Sequence, residues 1–278
     1  MCRLFGFRSN SSTTVHPELV TEKNSLRAQS LEHQDGWGIA YYGEGTTPLI
    51  ARGLGAAHSD PEFERVSSLL TARAVIAHVR LASVGKVGLP NAHPFSHGAW
   101  TFAHNGTLRE FDRHRAAIEA CIAPQLRERL VGDTDSERCF YLFLSHLFAR
   151  LPSEDAPAPL RTVASALVQT VNQVASITDV EGSPPSSMNF MVCDGKLLAA
   201  TRRQRTLYAS VGPRRRKADA PGLPPNGVTV SQVMLASEEL SLDSHWHPVK
   251  EDSVVGVDET LRVFSWPFAA LASALPRL

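Results

Sequence analysis

The chain opens directly on a strand: Cys2–Phe7 reads as a β-run that begins at the terminus itself. Similar short runs follow at Gly36–Tyr42, Ala74–Arg80, Trp100–Ala103, Asn189–Cys193, Leu197–Thr201, Thr206–Val211, Thr229–Ala236, Ser253–Val257 and Leu261–Phe264. Asp194-Gly195 predicts a two-residue hairpin turn between the fifth and sixth of these runs. Amphipathic helical patterns lie at Leu26–His33, Pro61–Thr71, Phe111–Cys121, Ser136–Ala149 and Leu160–Ile177, with Thr134 or Asp135 placed to cap the fourth. Strands in pairs, with helices between and after them, imply an α+β layered fold with no βαβαβ rhythm. We read residues 2–278 as one domain, with Met1 removed.

At 278 residues the chain can bury a substantial core. Its 28 basic and 28 acidic side chains cancel, so net charge favours neither nucleic acid nor an anionic membrane. The run Arg214-Arg215-Arg216-Lys217 lies between prolines and reads as solvated loop. Four scattered cysteines without a C-x-x-C pair suggest neither a disulfide framework nor a thiolate zinc site. Arg3 and Arg8 interrupt any apolar leader, and no long apolar span follows, so a reducing cytoplasm is the expected location.

Position 2 gives Cys2 a special chemistry. Removal of Met1 leaves a cysteine with a free α-amine, which places a thiol nucleophile and an amine base on one residue. Both groups titrate near about 8 to 8.5, within reach of neutral pH. The alternative is a cysteine that simply packs at the start of a strand.

Four other segments gather distinctive residues. Arg80 ends the Ala74–Arg80 run, where a planar guanidinium suits either a structural ion pair or bidentate capture of a carboxylate. His93, in Asn91-Ala92-His93-Pro94, could orient a substrate or tether loops by hydrogen bonds. With His78, His97 and His104 nearby it raises a metal site, but no H-E-x-x-H spacing is present. Asn105-Gly106 follows an apolar run and reads first as a hairpin turn. The same pair offers an amide donor and an unobstructed backbone N–H for an oxyanion hole. In Gly132–Glu137, Asp135 caps a helix or binds an ammonium group.

Taken in order, Met1-Cys2, His78-x-Arg80, Asn91-Ala92-His93-Pro94, His104-Asn105-Gly106 and Thr134-Asp135-Ser136-Glu137 resemble the class II glutamine amidotransferase domain, an N-terminal-nucleophile (Ntn) hydrolase. Asp35–Ile39 is similar to the second strand of that family. The resemblance implies a four-layer αββα sandwich of two antiparallel sheets. It also implies roles: Cys2 as nucleophile, and Asn105 and Gly106 as oxyanion donors. Arg80 and Asp135 would hold the α-carboxylate and α-ammonium, with Ser83, His93 and Gly106 also at the substrate. Leu81 departs from the pattern, standing where aminosugar synthases carry a tryptophan. The length also leaves no room for a second catalytic domain, which points to the stand-alone members.

The resemblance therefore implies a cysteine-nucleophile amidohydrolase that cleaves a γ-glutamyl amide through a thioester and needs no cofactor or metal. Glutamine or a γ-glutamyl peptide is the expected small-molecule partner, with no nucleic acid or membrane involved. Three alternatives remain: a metal-dependent amidase built on the histidines, a catalytically silent regulatory module that senses glutamine or γ-glutamyl compounds, and a glutaminase subunit feeding ammonia to a separate synthase. A homo-oligomer is also open. Ser237-Glu238 and His245–Pro248 are expected to shape the sandwich and its edge.

Overall fold

The computed structural model describes residues 2–212, 222–241 and 245–272. Met1 and the basic run Arg214–Lys217 lie outside the described residues. The strands are β1 (Arg3–Thr13), β2 (Trp37–Tyr42), β3 (Leu49–Gly53), β4 (Ala72–Val79), β5 (Phe95–His97), β6 (Trp100–Thr107), β7 (Ser187–Cys193), β8 (Leu198–Arg202), β9 (Tyr208–Val211), β10 (Val228–Thr229), β11 (Gln232–Ala236), β12 (His247–Pro248), β13 (Ser253–Val257) and β14 (Arg262–Pro267). The α-helices are α1 (Leu26–Gln29), α2 (Pro61–Leu69), α3 (Phe111–Ala120), α4 (Pro124–Arg127), α5 (Asp135–Phe148), α6 (Leu160–Thr178) and α7 (Ala269–Ala272).

Two seven-stranded sheets form, in the orders β12-β9-β11-β1-β4-β2-β3 and β10-β14-β13-β8-β7-β6-β5. The strand pairs are antiparallel throughout both sheets. Three buried clusters define the layers. Leu4, Ile76, Met191, Leu198 and Leu235 meet between the sheets. Phe5, Phe7, Leu26, Trp37 and Phe63 pack the first sheet against α1 and α2. Phe102, Phe140, Phe143, Leu167 and Phe190 pack the second against α5 and α6. This is the αββα sandwich that the resemblance implied.

Strand alternation decides which face each β1 residue takes. Leu4 and Gly6 point between the sheets, where an added Gly6 Cβ would meet Met191 Sδ at 2.5 Å. Phe5 and Phe7 point outward and are fully buried, each contributing about 2 to 3 kcal/mol. That burial, with β4 on one side and β11 on the other, holds the first strand of the chain firmly in the sheet centre.

Several local expectations change. Thr229–Ala236 is not one strand: β10 belongs to the second sheet and β11 to the first, so the chain crosses layers between them. The β7–β8 connection is longer than a two-residue turn, because Asp194 Oδ1 accepts from both Lys196 N and Leu197 N at 2.8 Å. The first helix is a single turn, Leu26–Gln29, capped by the Ser25 side chain. Asn105-Gly106 forms no hairpin. Both continue β6 and pair with Asn189 and Met188 of β7, which supplies partners that no local turn signal could anticipate.

Candidate active site

The ends of β1 and β4 bring the first two expected residues together. Arg3 pairs with Val79, so Cys2 and Arg80 sit just beyond that pair. The Arg80 backbone is pinned on both sides: its N–H donates to Gly36 O at 2.8 Å and its carbonyl accepts from Asp35 N at 3.0 Å. Asp35 then accepts the Ala82 N–H at 2.7 Å, which fixes the turn. Leu81, at that turn, receives the Cys2 thiol on its carbonyl at 3.5 Å.

The Arg80 guanidinium is 3% exposed. It donates to the carbonyls of Val84 (3.0 Å), Lys86 (3.2 Å) and Gly85 (3.4 Å). Among the described residues no carboxylate lies in ion-pair range of it. The plain reading of Arg80, a structural salt bridge, therefore finds no carboxylate among the described residues. A buried cation solvated only by carbonyl dipoles keeps a strong preference for an anion.

The end of β6 faces the start of α5. Thr134 caps α5, its hydroxyl accepting from Glu137 N at 3.2 Å, which frees Asp135 from capping through its side chain at the N-cap position. Asp135 is 3% exposed and accepts from Leu108 N (2.9 Å) and Ser136 N (2.8 Å), with Ser136 Oγ 3.1 Å away. His104 bridges the two elements through Ser136 Oγ at 2.9 Å and the Ser187 carbonyl at 3.0 Å. Burial lowers its pKa first, with Asp135 opposing, so the ring is neutral and donates from Nε2 to Ser187. Gly106 is required there: a Cβ would fall 1.9 Å from Ser187 O and 2.3 Å from His104 Nε2.

Hydrogen bonds link these pieces. Asn105 is 2% exposed, and its amide lies 3.4 Å from Ser237 Oγ, which also accepts the Leu4 N–H at 2.7 Å. Ser83 and Thr107 share a hydroxyl contact of 2.9 Å. Asn91 Oδ1 accepts from Asp133 N at 2.9 Å, tying the Asn91–Pro94 loop to the segment before α5. Ser237, Ser187 and Thr107 also line the site; the sequence reading gave Ser237 only a part in shaping the sandwich and its edge, and gave the other two no role. They arrive from the end of β11, from β7 and from β6, with Thr107 directly after Asn105-Gly106.

His93 takes a different place from its neighbours. The residue is 3% exposed, its ring tilted against His78 with centroids 4.3 Å apart and edge-on to Phe95 at 4.6 Å, and neither nitrogen has a hydrogen-bond partner among the described residues. It joins loop to sheet by packing, not by the hydrogen bonds expected of a tether. Gly38 admits this loop, since a Cβ there would sit 2.0 Å from the His93 carbonyl. Burial lowers the pKa of both rings, that of His78 to about 3, so both are neutral. The His104 backbone works slightly against this at His78, without the geometry of a hydrogen bond. Among the described residues no group of three or more His, Cys, Asp or Glu side chains converges as a metal ion requires.

The Cys2 thiol is pushed above its ordinary value by burial, against the Leu81 hydrogen bond and the Arg80 charge that pull it down, with a smaller upward push from Asp135. At neutral pH the sulfur therefore rests as a thiol.

Residues 1–259 match the family described as glutamine amidotransferases, class II. The chain belongs to that family. Over 270 residues it is 26% identical to the γ-glutamyl-hercynylcysteine sulfoxide hydrolase of Mycobacterium tuberculosis, covering 93% of this chain and 94% of the relative. It is also 25% identical over 226 residues to DUG3 of Saccharomyces cerevisiae, covering 73% of this chain and 63% of DUG3. Among solved structures, a glutamine aminotransferase class-II domain protein from Silicibacter pomeroyi superposes with a TM-score of 0.65 at 19% identity, covering 96% and 99% of the two chains. The glutamine phosphoribosylpyrophosphate amidotransferase of Bacillus subtilis gives 0.59 at 17% identity, and this chain covers 49% of it. Those structures share the Ntn amidotransferase fold. No helix among the described residues is long and apolar enough to cross a membrane.

Proposed function

We propose that this amidotransferase domain hydrolyses the γ-glutamyl amide bond of glutamine or a γ-glutamyl peptide or amide, through a thioester on Cys2. One observation carries the reading: Arg80 and Asp135 are buried, opposite in charge and free of ion pairs among the described residues. A zwitterionic amino-acid head group supplies the missing counter-charges to such a pair. The name of the mycobacterial relative, a γ-glutamyl hydrolase, supports the same bond.

In this mechanism the α-amine left on Cys2 by loss of Met1 takes the thiol proton through a water molecule. The thiolate attacks the δ-carbonyl carbon, forming the C–S bond, and Asn105 with the Gly106 N–H holds the developing oxyanion. The protonated amine passes its proton to the departing nitrogen as the C–N bond breaks. Water then attacks the thioester, releasing glutamate and returning the proton to sulfur. Arg80 and Asp135 hold the head group so that the acyl carbon meets the sulfur.

The test is glutamate release by protein with an unextended N-terminus, offered glutamine, glutathione and a γ-glutamyl anilide. Release from at least one is expected, with loss to background in Cys2→Ala while the circular dichroism is unchanged. Retaining Met1 or adding an N-terminal tag, verified by intact mass, is expected to silence the enzyme as well. No glutamate from any of the three, or full activity in Cys2→Ala, refutes the proposal.

A further inference from the structure

The Ser237 hydroxyl sits at a junction that neither the family match nor the sequence motifs explain. It accepts the Leu4 N–H at 2.7 Å, and the Ser237 N–H donates back to Leu4 O at 3.0 Å, closing a two-bond clamp on the strand that begins at Cys2. The next residue adds to the clamp: Glu238 pairs with Arg3 at 3.4 Å, and Arg3 Nη1 reaches the Cys2 carbonyl at 3.4 Å. The same hydroxyl lies 3.4 Å from the Asn105 amide nitrogen. Ser237 is 1% exposed, so its polar atoms must be satisfied inside the protein.

As placed, the contacts do not balance. Ser237 Oγ accepts twice, from Leu4 and from Asn105 Nδ2, and its own proton has no acceptor among the described residues. Asn105 Oδ1 is buried with no donor. Each orphaned group loses its hydration on burial with no hydrogen bond in return. A half-turn of the amide about χ2 exchanges its oxygen and nitrogen at nearly the same positions. The Ser237 proton then goes to Asn105 Oδ1, and Nδ2 is left as the one unpaired group. The Nδ2 group moves to the side of the amide away from Ser237, free to donate to an oxyanion.

We propose that Ser237 is a positioning residue: its hydroxyl, anchored by the Leu4 N–H, donates to Asn105 Oδ1 and thereby turns the Asn105 N–H donors toward the reacting carbonyl. One hydroxyl then holds both the strand carrying the nucleophile and the amide that stabilises its tetrahedral product. The inference rests on the proposed role of Asn105.

Two measurements separate it from that role. Neutron diffraction from the wild-type protein reads the amide directly: a deuteron on Ser237 Oγ facing Asn105 Oδ1 is expected, and Asn105 ND2 deuterons facing Ser237 overturn the inference whether or not the protein turns over any substrate. Kinetics then use Ser237→Ala, Asn105→Ala and the double variant. Ser237→Ala is expected to lower kcat about 10- to 100-fold with little change in KM. It should have no further effect in the Asn105→Ala background, and Ser237→Thr should recover most of the rate. Independent, multiplying losses in the double variant mean that Ser237 acts only on folding and sink the proposal. Absence of glutamate release from the wild type instead sinks the proposed function and leaves the neutron result to decide the amide.

Discussion

Acid should loosen this sandwich through His78. His78 sits between the sheets, 1% exposed, its ring tilted against that of His93, with neither nitrogen partnered among the described residues. Its pKa is lowered from 6.5 to about 3, burial being the main cause and the Arg80 charge the next. In the unfolded chain the imidazole takes a proton near its ordinary value. Between these two values the unfolded state therefore binds more protons, and stability falls as pH falls. From about pH 7 to about pH 4.5 the loss from this one ring is about 2.5 kcal/mol, some two decades of proton affinity at about 1.36 kcal/mol each. His93 is shifted in the same direction and adds to it. Urea unfolding of the wild type and of His78→Leu at both pH values measures the term, since leucine matches the volume and cannot titrate. The variant should lose about 2.5 kcal/mol less than the wild type on acidification. Equal losses in the two proteins, or a wild-type His78 NMR titration near 6.5, would refute the reasoning.

Two further outcomes follow from the site. Gly106→Ala forces a methyl group onto backbone at Ser187, so β6 or β7 must shift; stability is expected to drop by about 1 to 3 kcal/mol and glutamate release to fall to background, read by thermal melting and by the substrate panel. Arg80→Lys keeps the charge and loses the planar fork held by three carbonyls, so KM for a γ-glutamyl substrate should rise about 10- to 100-fold; an unchanged KM would mean that Arg80 does not meet the substrate carboxylate.

Much of the site was legible because its residues cluster in the first half of the chain and each is chemically unusual where it stands. A cysteine at position 2, an arginine ending an apolar strand and an aspartate at a helix start can all be seen locally. Residues such as Ser237 could not be, since a serine after an apolar run carries no chemistry of its own. It becomes important only because β11 lies beside β1 and brings its end against Asn105.

By itself the sequence determined that the chain enters a strand directly after Cys2 and that the fold is layered α+β, and it singled out the side chains to which acyl-transfer chemistry is proposed, because strand alternation, helix caps and residue type are local properties. Only the tertiary structure decided that Asn105-Gly106 extends a strand instead of turning, that Val228–Ala236 divides between two sheets, and that Arg80 is left without a counter-ion among the described residues. Each depends on a partner far away in the chain. Backbone groups and buried charges take whichever neighbours the packed layers provide, and no window of sequence holds that information.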